Sequence, residues 1–171
     1  MKTFVILISL ISLISCYQST KTVVKTNIIE KKKTRRILNY DYNVALKFIN
    51  EYTENCNNQI GDKSNLWNRD LWIQNNKLLS KDFKSKYKSI IETAKKYDPE
   101  LGLDFDPIFD AQDFPDIGFE IYEIDSINQL VKVKGIDWKF KLTLKVISKN
   151  NTTFVDGVGV INMPKSTNRK E

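Results

Sequence analysis

The hydrophobic period of this chain changes once, and the change falls across fifteen residues. Residues 104–118 read D-F-D-P-I-F-D-A-Q-D-F-P-D-I-G, with five aspartates, three phenylalanines, two of the chain's four prolines and no base. Before this stretch apolar residues recur every three or four positions, and after it every second position. Helices followed by a run of strands predict an α+β fold, with the helices on one face of an antiparallel sheet.

Upstream, Asp41 is placed to cap a helix over residues 42 to about 55. Its stripe is Tyr42, Ala45, Leu46, Ile49, Tyr52 and Cys56, with Lys47, Asn50, Glu51 and Glu54 on the other side. Cys56 ends that stripe and reads as a small core residue. Residues 57–68, rich in Asn with Gly61, read as a turn. Leu66-Trp67 and Leu71-Trp72-Ile73 predict a short helix laid on the core. Ser80 caps a second long helix, residues 81–97, which buries Phe83, Tyr87, Ile90, Ile91 and Ala94. Pro99 stops it, because the residue before a proline is pushed out of the helical region.

Downstream the alternation is that of strands. Residues 119–124 form one and residues 130–134 the next, with Val131 and Val133 sharing a face. Residues 138–146 put Trp138, Phe140, Leu142, Leu144 and Val146 inward and Lys139, Lys141, Thr143 and Lys145 outward. Asn150-Asn151 marks a hairpin turn, and residues 154–163 are the fourth strand, ended by Pro164. Gly157 and Gly159 share a face of that strand and mark either a bulge or clearance for a helix crossing it. The expected architecture is two main helices on a curved four-stranded antiparallel sheet.

The first fifteen residues carry one lysine at position 2, then an apolar run too short to span a bilayer. They end Leu13-Ile14-Ser15-Cys16, which resembles the bacterial lipobox. That resemblance implies lipid transfer to the Cys16 thiol, cleavage between Ser15 and Cys16, and acylation of the new amine. Tyr17 stands where Asp retains many lipoproteins in the inner membrane, so outer-membrane placement is expected. No acid follows in residues 17–26, which favours the periplasmic face. The predicted organisation is a signal peptide (1–15), a lipidated cysteine and flexible tether (16–38), a single domain (39–164) and a polar tail (165–171). With Cys16 lipidated, Cys56 has no partner for an internal disulfide.

The formal charge of +6 is unevenly distributed. Residues 98–125 hold ten of the 21 acids, and all 27 Lys and Arg lie outside them. The lysines alternate with apolar residues, as on a solvated face, and no nucleic-acid recognition motif accompanies them. The expected partner is an envelope protein or a small ligand, and no nucleic acid.

The acidic stretch is where chemistry would sit. Asp104 and Asp106 match the first two ligand positions of a calcium loop. Ile108, Phe109 and Pro115 then break the pattern, so a helix-loop-helix calcium site is excluded. Asp104, Asp110 and Asp116 read as turn closers. The chain has no histidine, no G-x-S-x-G and no metal-ligand spacing of Cys, so no catalytic residue, metal or cofactor is assigned. Two alternatives stand: a small enzyme using Asp113 or Asp106 as a lone general base, or a divalent-cation module.

Asp106-Pro107-Ile108-Phe109-Asp110-Ala111-Gln112-Asp113-Phe114-Pro115, followed by Gly118-Phe119, resembles the signature of a bacterial envelope family. Gly135-Ile136-Asp137-Trp138 and the closing run from Asp156 to Pro164 are similar to the end of its domain. This is domain-of-unknown-function family 3828, which includes YbjP-like lipoproteins. The resemblance implies a cone of the nuclear-transport-factor-2 kind and non-catalytic membership, with no catalytic residue to transfer. The signature sets Asp106, Gln112 and Asp113 beside the anchors Pro107 and Phe114, as the residues facing a partner. The expectation is therefore a non-enzymatic lipoprotein, anchored through Cys16, that docks on or binds another envelope component.

Overall fold

Asp41 opens helix α1 (Asn43–Gly61) by accepting the Asn43 N–H on its carboxylate at 3.1 Å, while the Thr153 hydroxyl accepts the Asp41 N–H at 2.9 Å. The computed structural model describes residues 40–61 and 67–164. The signal, lipid-attachment and tether readings, and the polar tail, lie outside the described residues. Ala45, Phe48, Ile49, Tyr52 and Cys56 form the buried stripe of α1. The helix runs on past residue 55, with asparagine side chains bonded in ways that leave the helical backbone intact. Asn55 Nδ2 donates back to the Glu51 carbonyl (2.7 Å), and Asn57 Nδ2 donates to the carbonyl of Asp116 (2.7 Å).

Helix α2 (Arg69–Asn75) is short, capped by Asn68, and buries Ile73. Helix α3 (Lys81–Tyr97) begins where the Ser80 hydroxyl accepts the Phe83 N–H at 3.0 Å, and it buries Phe83 and Tyr87. That hydroxyl also donates to Asp156 at 2.7 Å, and Lys145 holds the second Asp156 oxygen at 3.0 Å. One buried carboxylate thus joins the start of α3 to the sheet.

The sheet is an antiparallel meander of β1 (Phe119–Asp125), β2 (Leu130–Gly135), β3 (Lys141–Lys149) and β4 (Thr152–Val158), in that spatial order. Asn150 and Asn151 both take left-handed backbone (φ 53° and 61°), the requirement of a two-residue hairpin turn that follows strand twist. Register shifts between Ile121 and Glu123 and between Lys145 and Val146 add local bend. Val131, Val133, Leu142, Leu144, Val146, Val155 and Val158 line the inner face, which α1 crosses. Each such side chain taken from water contributes roughly 1.5–3 kcal/mol. Residues 78–80 cover the free edge of β4, with Ser80 N–H to the Val155 carbonyl (2.9 Å) and Val155 N–H to the Leu78 carbonyl (2.8 Å).

Two strand expectations are corrected. Trp138 is not an inward core residue; it is 46% exposed, and β3 starts only at Lys141. A tight return precedes the strand, Phe140 N–H to the Trp138 carbonyl and Gly135 N–H to the Phe140 carbonyl (both 2.8 Å), and this turn resets the alternation. The fourth strand ends at Val158, not Met163, because Gly159 turns to φ +55° and Val158 and Ile161 exchange N–H···O bonds. Gly157 sits at the bulge, opposite Lys145. Clearance at Gly159 serves the acidic loop, not a helix: a Cβ there would lie 2.3 Å from the Pro107 carbonyl oxygen.

Candidate functional site

The acidic stretch folds as a loop whose first half turns inward. Asp106 is 8% exposed. One carboxylate oxygen accepts the N–H groups of Ile108 (2.8 Å) and Phe109 (3.1 Å); the other accepts the Tyr52 hydroxyl (2.6 Å) and faces Arg69 at 3.2 Å. Backbone bonds from Asp106 N–H to the Ala111 carbonyl (2.9 Å) and from Asp110 N–H to the Asp106 carbonyl (2.8 Å) close the turn, with Asp110 at φ 54°. Asp106 is thus the turn closer here, and the expectation that it faces a partner is corrected. Both its oxygens are committed to donors within the chain.

Arg69 reaches Asp106 over the rings of Tyr52 and Trp67, 5.9 and 5.8 Å from their centroids. Burial works to lower the Arg69 pKa, but Tyr52 and Asp106 beside it overcome that and hold it above its ordinary value. Burial first, then the Asp106 charge, lifts the Tyr52 hydroxyl well above its ordinary range. The same two causes push the Cys56 thiol up to about 12, so it stays protonated at neutral pH. Arg69 was not singled out by sequence reasoning. A signal existed: it is the sole arginine between residues 37 and 168, in a domain whose other bases are lysines. The planar guanidinium is the cation suited to stacking and to a buried carboxylate.

The second half of the loop turns outward. Phe109 and Phe114 stack at 4.4 Å and anchor it, with Pro107 and Pro115 buried. Gln112 and Asp113 are exposed, and Gln112 Nε2 donates to the Asp104 carbonyl at 3.1 Å. Asp104 and Asp116 are exposed beside them. Asn50 of α1 pins the end of the loop by donating to the Phe119 carbonyl (3.1 Å) and accepting its N–H (2.7 Å). The structure therefore keeps Gln112 and Asp113 together at the surface and separates Asp106 from them.

Between α2, α3 and residues 101–107 lies a groove of two connected lobes, about 480 and 410 Å³, sharing Asn68, Asp70, Tyr87, Ile91 and Lys95. Three of its polar groups engage one another: the Tyr87 hydroxyl donates to Asp70 at 2.8 Å, and Lys95 stands 3.9 Å from the same carboxylate. Burial and that hydrogen bond raise the Tyr87 pKa. Asp113 does not line the groove. Among the described residues no three His, Cys, Asp or Glu side chains converge on a point where a cation would sit. No family model, curated protein or solved structure matches this chain.

Proposed function

We propose that this chain is a non-enzymatic lipoprotein, anchored through Cys16 at the periplasmic face of the outer membrane, that docks on another envelope component through the outer half of its acidic loop. The observation that carries the reading is the placement of two attachments along α1. Asp41, where the chain enters the domain, is held by Thr153 at one end, and Asn57 holds the Asp116 carbonyl at the other. Sixteen positions separate them, all but the first two steps within α1, roughly 24 Å at 1.5 Å per residue. A domain tethered at one end and acidic at the other offers that acidic end to a neighbour, and its charge steers a basic partner's approach.

Asp106 is ill placed to be the lone base of the alternative reading, because a carboxylate committed to Tyr52, Arg69 and two N–H groups has no proton-accepting position to spare, which leaves Asp113 as the base that reading would need. The likeness to domain-of-unknown-function family 3828 belongs to the same proposal, and would make the helix-covered sheet a cone of the nuclear-transport-factor-2 kind. The anchor is tested by labelled palmitate and fractionation. The parent should incorporate label and sediment with outer membranes, and Cys16→Ala should lose the label and appear in the soluble periplasm. A Cys16→Ala chain that keeps both label and membrane association would sink the anchored reading.

A further inference from the structure

The acidic end also carries an apolar face that the fold holds outward. Ile136 N–H donates to the Gly118 carbonyl (3.0 Å), and the Asp137 carboxylate accepts the N–H groups of Asp116 (3.1 Å) and Ile117 (3.3 Å). These bonds stitch the two turns side by side, and from adjacent backbone they present Ile117, Ile136 and Trp138, which are 69%, 53% and 46% exposed. Asp116 and Asp137 are exposed in the same two turns, and Asp113 is exposed three residues before Asp116. Of the nearby bases, Lys134 is paired with Glu120 at 3.0 Å and Lys139 is exposed. A surface of this kind takes a segment that supplies large aliphatic side chains to the apolar face and several cations to the acids.

Such a segment exists in this chain. Residues 28–38 read I-I-E-K-K-K-T-R-R-I-L: five bases and one acid between two aliphatic pairs. We infer that the face formed by Ile117, Ile136 and Trp138 docks residues 28–38 of a second copy of this chain. The same copy cannot seat the whole segment. Ile37 lies three residues before Tyr40, a reach of about 10 Å for extended chain, against the roughly 24 Å that α1 sets between the two ends of the domain. The contact is heterologous, one copy giving the segment and the other the face, so it links copies into open chains unless a ring closes. It goes beyond the docking of an envelope partner and does not depend on that partner's identity.

The direct test uses a fluorescent peptide of residues 26–39 and the full chain in dodecyl maltoside micelles, read by anisotropy. Binding should weaken at least tenfold when Ile136→Ser and Trp138→Ser are combined, and stay unchanged in Ile127→Ser, an exposed control on the β1–β2 turn. It should vanish for a peptide carrying Lys31→Glu, Lys32→Glu and Lys33→Glu. Equal binding to the parent and to a double variant of unchanged melting temperature would overturn the inference, as would no binding to the parent. If the double variant melts early, Ile117→Ser takes its place. In cells, benzoylphenylalanine at position 117 of one tagged copy should cross-link to residues 28–38 of a differently tagged copy. Cross-links confined to one copy, or only to other proteins, overturn the inference; the latter leaves the docking reading standing.

Discussion

Tyr52 and Asp106, 54 residues apart, meet in the core through a 2.6 Å hydrogen bond from phenol to carboxylate. That bond ties the middle of α1 to the loop between the helical and β halves, and Arg69 completes it from the start of α2. The residues that sequence reading offered as an outward-facing trio are thereby divided. Asp106 holds the loop in place, and Gln112 and Asp113 ride on its outer side.

Tyr52→Phe leaves a buried carboxylate short of one donor, and should cost about 1–2 kcal/mol in chemical denaturation. Asp106→Asn leaves Arg69 without its charge partner and should cost more, about 2–3 kcal/mol. The double variant should lose less than the sum, because the two side chains share one bond. Strict additivity would show that the bond contributes nothing in solution.

Alkaline pH should unfold the domain through three groups. Cys56, Tyr52 and Tyr87 all have folded pKa values above their unfolded ones, so each protonated form is favoured by folding. Their contribution is fully present below the unfolded pKa values, near pH 8.5 for the thiol and 10 for the phenols. It is lost as pH rises through the folded values, for Cys56 between roughly 8.5 and about 12. Cys56→Ala should therefore flatten the fall in melting temperature between pH 8.5 and 10. An unaltered slope would mean the thiol titrates as if exposed.

Gly159 and Gly102 both take positive φ, +55° and +68°, but only Gly159 is crowded. Alanine at 159 would put a Cβ 2.3 and 2.4 Å from the carbonyl oxygens of Pro107 and Ile108, and the loop would have to move off the sheet. At 102 the nearest atom is a lysine methylene at 3.7 Å. Gly102→Ala should cost about 1 kcal/mol, the ordinary strain of that backbone region, and Gly159→Ala several times as much. Equal melting temperatures would contradict the close packing of loop on sheet.

Much of the fold was legible because it is written in local chemistry. Ser80 announces α3 by the preference of a hydroxyl for an unpaired N–H, and Asn150-Asn151 announces a hairpin by tolerating positive φ. The Val131/Val133 and Leu142/Leu144/Val146 alternations set the inner face. Trp138 misled because period-two alternation was carried through a turn that resets it. Residues 57–61 mislead because asparagine commonly forms turns, whereas Asn57 bonds across the fold to Asp116. The site was less legible. Nothing within a few residues of Asp106 tells that Tyr52 and Arg69 will fill its oxygens, since their convergence exists only after α1 and α2 pack. The exposure of Ile117, Ile136 and Trp138 likewise depends on two turns joined by Asp137.

Docking through the acidic end is the central claim, and site-to-site photo-cross-linking in living cells tests it most directly. Benzoylphenylalanine is placed in the full chain at Asp113, on the outer half of the loop, and in a second strain at Lys77. Lys77 lines the hollow beside Tyr40 and Asp41, where the chain enters the domain. A discrete, reproducible envelope-protein adduct from position 113, missing from position 77 and weakened by Gln112→Ala, is the predicted result. Identical adduct patterns from both positions, or none from position 113 while Asp113→Asn abolishes turnover of a small molecule by the purified chain, would contradict the account.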